Sequence, residues 1–232
     1  MKNKLILGLL FVLPIATYLI FASAKHNSLF LPTLFDYKQD FPQNWQTASG
    51  ESVQLENKIT ILGFTGFDIA KNKGNLFNLN QKIYNKYAGF NDFQVVMVAP
   101  KGTESDIAAI FEKFKTISED LSGWKVVFAD PEEIKTYFET LQLIGNLGED
   151  YGTPSVLIID KNINLRGRKG KNKAGEEEYK DSYNTISAAE LHNDMTDDVK
   201  ILLREYRLAL KKNEARKDDF RDKIKENIEK NK

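Results

Sequence analysis

The side chains that most often carry chemistry are scarce in this chain. Its 232 residues include no cysteine, and its two histidines, His26 and His192, stand far apart in unrelated contexts. Without cysteine there is no disulfide, thiolate nucleophile or thiolate metal site. Two isolated imidazoles and scattered carboxylates are a poor donor set for zinc or copper, so no cofactor is expected. Glu104, Asp106, Asp130, Glu132 and Glu133 fall at the starts of helical segments, where the helix macrodipole accounts for them. No Ser-His-Asp spacing, P-loop or dinucleotide fingerprint is present. Lys+Arg 33 against Asp+Glu 33 leaves no net field, and nucleic acid is not expected as a partner. What remains is a polar turn, Phe67-Asp-Ile-Ala-Lys71, after an apolar run, and the dipeptide Thr153-Pro154 before another. A basic run from Arg166 to Lys173 is followed by Glu176-Glu-Glu178. It could meet phosphate or anionic headgroups, but a solvated loop with partly cancelling charges is the preferred reading. His192, in AAELHND, reads as an exposed helix residue.

The elements that must position these residues alternate. Residues 45–48 and 58–64 read as strands, the first short, and helical spacing follows at Leu76, Leu79, Ile83 and Tyr87. Phe93–Ala99 is a β-branched strand closed by Pro100, and Thr103 or Ser105 could cap the helix that presents Ile107, Ile110, Phe111 and Phe114. Trp124–Ala129 is a further core strand; Asp130-Pro131 then supplies an N-cap and a proline at the first helical position. Ser155–Ile159 is a strand that Asp160–Asn164 turns back into Leu165. This alternation is an α/β pattern.

The ends are distinctive. Met1-Lys-Asn-Lys4 precedes Leu5–Ala24, which carries no charge and is long enough to span a bilayer at about 1.5 Å per residue. Ala22-Ser23-Ala24 fits a small-x-small cleavage pattern, so residues 1–24 are an anchor or a cleaved signal peptide, the anchor being preferred. The basic leader stays inside and the rest is exported, to an inner membrane's periplasmic side. Residues 25–44 read as a linker, 45–194 as the domain and 195–232 as a C-terminal helix starting at Thr196-Asp-Asp198. Val199, Leu202, Leu203, Tyr206 and Leu210 form a packing stripe; after residue 211 the helix becomes a charged extension. Phe220, Ile224 and Ile228 repeat every four residues, which suits either a helix presented to a partner or a frayed extension.

Gly63-Phe64-Thr65 at the end of the first core strand, DFQVVMVAP at the second and VLIIDKNINLRG at the closing hairpin resemble the thioredoxin fold. Within it they resemble the Sco/SenC family of membrane-anchored copper chaperones and thiol proteins, which serve cytochrome oxidase assembly. The resemblance covers roughly residues 45–170 and the helix around 199–210. It implies a three-layer α/β domain with a central mixed sheet, between an N-terminal membrane segment and a long C-terminal helix. The family's two cysteines fall on Phe67 and Lys71, and its histidine falls near Gly152-Thr153-Pro154. All three soft ligands are therefore missing. Pro154 occupies the place of the fold's cis proline, beside an edge that binds extended peptides; it is either cis, or trans at a strand start.

These readings point to a degenerate, non-catalytic member that binds a client from the envelope or respiratory chain. A thiol oxidoreductase or peroxidase is not expected, and a tethering module working through its C-terminal helix is the alternative. Phe64, Thr65, Gly66, Phe67, Lys71, Thr153 and Pro154 form the candidate binding surface. Phe67 either faces a ligand there or turns inward as a core plug.

Overall fold

Three runs, β2 (Ile59–Thr65), β3 (Phe93–Pro100) and β4 (Trp124–Ala129), are nearly continuous in apolar and β-branched residues. That composition suits strands covered on both faces. The computed structural model describes residues 10, 12–18, 30–172 and 174–209. In it these strands lie parallel, and β5 (Gly152–Ile159) runs antiparallel to β2. Beyond β5 come β6 (Asn164–Arg166), β1 (Thr33–Asp36) and the short β9 (Tyr183–Asn184). The order is β1-β6-β5-β2-β3-β4, with β9 also on β5. A separate hairpin pairs β7 (Arg168–Lys171) with β8 (Glu177–Lys180).

Alternate side chains point to opposite faces, so each strand feeds two cores. Ile61, Val95, Met97, Trp124, Val126 and Ile158 pack under α1 (Ile69–Leu79) and α2 (Glu104–Phe114). The closing helix lies on the same face: α4 (Ala188–Glu190) passes through a π-helical turn, Leu191–Met195, into helix 196–209. Leu62, Phe64, Val96, Val98, Val127 and Leu157 face the other way, toward α3 (Pro131–Thr140), Phe41 and Trp45. The result is the expected three layers around a central mixed sheet. Gly63 lies between these layers at the strand centre, where a Cβ would sit 2.6 Å from Met97 Cε and 2.9 Å from Val156 Cγ1.

Several expectations need correction. Residues 45–48 contribute only a bridge at Gln46, to Ser52 and Phe128. Within the segment read as a linker, 33–36 is extended chain that docks on the sheet as edge strand β1. The first helix starts at Ile69, not Leu76, because Asp68 Oδ1 accepts from Lys71 N at 3.0 Å and caps it. The Thr103 and Asp130 side chains do not cap: Thr103 Oγ1 donates to the Pro100 carbonyl and Asp130 pairs with Lys101. Thr196 begins nothing, since Ser187 caps α4 and the helix runs through.

The basic run is corrected most. Arg166 is buried, with Nη1 2.9 Å from Asp160 and Nη2 2.5 Å from Glu205, and it also donates to the Leu31 carbonyl. Arg168 Nε lies 2.8 Å from Asp198, which also accepts from Tyr183 at 2.5 Å. Lys180 reaches Asp194 at 2.7 Å and Glu190 at 3.0 Å. Burial pushes the Asp194 carboxyl up, but Lys180 and Arg168 hold it below the usual carboxylate range. The run is thus a hairpin fastened to the closing helix rather than a solvated loop.

Residues 12–18 are helical and exposed, and among the described residues no helix is long and apolar enough to cross a membrane. Most of Leu5–Ala24, together with His26, Phe220, Ile224 and Ile228, lies outside the described residues.

Candidate functional site

The turn after β2 is built by close backbone approach. Gly66 takes φ +67°, and Phe67 N donates to the Asp150 carbonyl at 2.9 Å. A Cβ on Gly66 would lie 2.8 Å from that same carbonyl, and a Cβ on Gly152 would lie 2.8 Å from the Thr65 carbonyl. The left-handed conformation and the contact both require glycine at Gly66; at Gly152 the contact alone does. Asn72, one turn into α1, donates to the Thr65 carbonyl at 2.8 Å and holds the strand end from the helix side.

The structure brings Thr65, Gly66 and Phe67 beside the Asp150–Pro154 segment, as the resemblance implies. The β2–β5 ladder jumps from Gly63 opposite Val156 to Phe64 opposite Thr153, leaving Pro154 and Ser155 in a bulge. A proline, lacking an N–H, fits such a position without breaking the ladder. The Thr153–Pro154 bond is trans, since no peptide bond among the described residues is cis. The peptide-binding edge expected here is covered by the chain itself. β9 pairs with Ser155 and Val156, and the Pro154 carbonyl accepts from Thr185 N at 2.9 Å and Thr185 Oγ1 at 2.6 Å.

The two phenylalanines part company. Phe64 is 1% exposed and packs edge-on against Phe138 at 5.1 Å, so it belongs to the core and not to a surface. Thr65 is likewise buried. Phe67 is 46% exposed, which rules out the core plug. Its ring meets Tyr151 edge-on at 6.1 Å. Behind the turn, between Thr65, Asn72, Met97 and Thr153, the void is only about 10 Å³. Lys71 is exposed on the first turn of α1.

Tyr151 is the residue that sequence reasoning missed; an aromatic directly before Gly-Thr-Pro was the available signal. It adopts φ +61°, and its hydroxyl donates to Glu132 Oε1 at 2.7 Å. That bond raises the phenol above its ordinary pKa. Tyr151 also walls an open cleft of about 360 Å³, with Phe138, Leu147, Glu139 and Glu149. The exposed chemistry at the turn is therefore two aromatic rings with carboxylates around them.

The residues at the family's ligand positions do not fit a soft metal ion. Phe67 offers a phenyl ring, Lys71 an ammonium, and the backbone packed against Gly152 leaves no room for a side chain. His192 is exposed in the π-helical turn, with Nδ1 3.3 Å from Lys86 Nζ. Among the described residues no group of three or more His, Cys, Asp or Glu is placed to hold an ion.

No protein-family model and no curated protein matches the chain. Solved structures do. A SCO1/SenC family lipoprotein from Bacillus anthracis str. Ames superposes with a TM-score of 0.50 at 18% identity, covering 78% of this chain and 99% of its own. BsSco, a member of the Sco family of cytochrome c oxidase assembly proteins, gives 0.49 at 14% identity, over 74% and 95%. Arabidopsis thaliana ScoI with copper bound gives 0.43 at 18% identity, over 69% and 98%. At such identities the likeness speaks to fold. The chain has a mixed α/β, thioredoxin-like fold with a central mixed sheet and a C-terminal helix. Its structural neighbours are Sco/SenC and other thioredoxin-like proteins, and it differs from their thiol chemistry in having no cysteine.

Proposed function

We propose that this is an exported, membrane-associated thioredoxin-like protein that assists the assembly or maintenance of respiratory cytochrome oxidase, or of another envelope protein, by binding it without redox or copper chemistry. The observation that carries the reading is the state of the turn. Its backbone architecture is kept, with glycines at both contact points, while Phe67 stands half exposed against Tyr151 where a reactive group would be. Exposed aromatic area on a rigid turn is suited to binding rather than reaction. The oxidase connection rests on the sequence resemblance to the Sco/SenC family.

Two measurements test the parts of this reading. Titration of the purified chain with Cu(I) and Cu(II) against a competing chelator should give no specific binding. Stoichiometric binding that persists in His192→Ala would overturn the metal-free assignment, because it would require a ligand set unlike the one described. For location, a reporter active only outside the cytoplasm should work when fused after Lys232, by the orientation the basic leader imposes. Activity of a cytoplasm-only reporter at the same junction would contradict export.

A further inference from the structure

Edge strand β4 is half finished. In the parallel β3–β4 ladder, Val95 N donates to the Gly123 carbonyl and Lys101 N to the Ala129 carbonyl. By alternation, Trp124, Val126 and Phe128 turn their backbone groups to the outer side, where Trp124 N already donates to the Leu121 carbonyl at 3.0 Å. Phe128 N donates to the Gln46 carbonyl at 2.9 Å, beginning a further antiparallel strand. The chain then leaves at once, through the turn 47–51 with Gly50 at φ +82°. Opposite Val126 there is instead an open groove of about 350 Å³ between that turn and α2, with Ile107, Ala108 and Phe111 on its wall and Trp124 and Val126 on its floor.

We propose that this groove receives an extended segment of a partner protein as an added antiparallel strand of the form apolar–acidic–apolar. An outward backbone N–H and C=O at Val126 specify an extended backbone, as in strand addition to exposed sheet edges. The two residues flanking the centre would direct their side chains toward the apolar wall of Ile107, Ala108 and Phe111, in a groove that Thr47, Ser49, Glu51 and Glu104 also line. The central residue falls opposite Lys125, on the other face of the strand, and among the described residues Lys125 has no ion-pair partner. A carboxylate there complements it. The same lysine disfavours a second copy of this chain, since two-fold pairing that leaves Gln46 in place sets Lys125 against Lys125. The inference is independent of the Phe67 surface, which lies at the end of β2.

The test titrates the full chain with the capped peptide Ac-Thr-Val-Glu-Val-Thr-NH2 and follows amide resonances by NMR. At millimolar peptide, shifts should centre on Val126 and its neighbours in β4 and α2. Methylating both valine nitrogens should weaken binding about tenfold or more by removing the backbone bonds. Glu→Lys in the peptide should also weaken it. Ala108→Trp, on the exposed rim, should block the groove without touching the core. No shifts at β4, or binding indifferent to valine methylation and to Ala108→Trp, would overturn the proposal. So would a concentration-dependent dimer that protects the Val126 amide without peptide, which would put a second copy there.

Discussion

Arg166→Ala is expected to cost about 3–5 kcal/mol of folding stability, the range for removing one partner of a buried ion pair. The Asp160 side chain is 1% exposed and that of Glu205 13%, so the substitution strands two carboxylates away from water. Asp160 keeps part of its support, because it also accepts from Asn162 N at 2.9 Å and Asn164 N at 3.0 Å in the β5–β6 turn. Among the described residues Glu205 keeps only the Leu31 N–H, at 2.5 Å. Arg166 ties β6, the entering chain at Leu31 and the closing helix to one another, so its loss should loosen the helix first. Urea unfolding measures the total, and hydrogen exchange along 196–209 shows where protection falls. As a control, Lys115→Ala breaks the exposed 2.6 Å pair with Glu112 and should change stability by less than about 0.5 kcal/mol. Equal effects of the two substitutions would mean that Arg166 is hydrated after all.

The second large effect separates two phenylalanines three residues apart. Phe64→Ala removes a ring that is 1% exposed in the α3-side core and should cost about 3–5 kcal/mol. Phe67→Ala removes a ring that is 46% exposed and, among the described residues, pairs with no aromatic ring but Tyr151; its cost should stay below about 1 kcal/mol. Thermal melts of both variants beside the parent chain measure this. A large loss at Phe67 would return that ring to the core and remove the surface on which the functional reading stands.

The core strands were legible because they are long and buried on both faces: 93–99, 124–129 and 155–159 fall within the observed strands, and 58–64 begins one residue before β2. So did the meeting of the first turn with Thr153-Pro154, which the resemblance implied. Other features depend on partners far along the chain and leave no local pattern. The two residues of β9 have no periodicity, and Thr185 caps Pro154 from 31 positions away. Arg166 and Arg168 looked solvated within a run of lysines and glycines, because Glu205 and Asp198, which bury them, lie in the closing helix. Phe64 and Phe67 look alike in sequence. Only the end of the strand between them, at Thr65 and Gly66, turns one inward and the other outward.

The central claim is that the turn binds a client through Phe67 and does no chemistry. Affinity capture from membranes with the full chain and with Phe67→Ala tests it most directly, with melting curves of the same two preparations alongside. Cytochrome oxidase subunits, or another defined envelope protein, should be captured by the parent chain and lost with Phe67→Ala while the melting temperature stays within a few degrees, about what a change under 1 kcal/mol produces. Equal capture by both chains, with both folded, would contradict the claim.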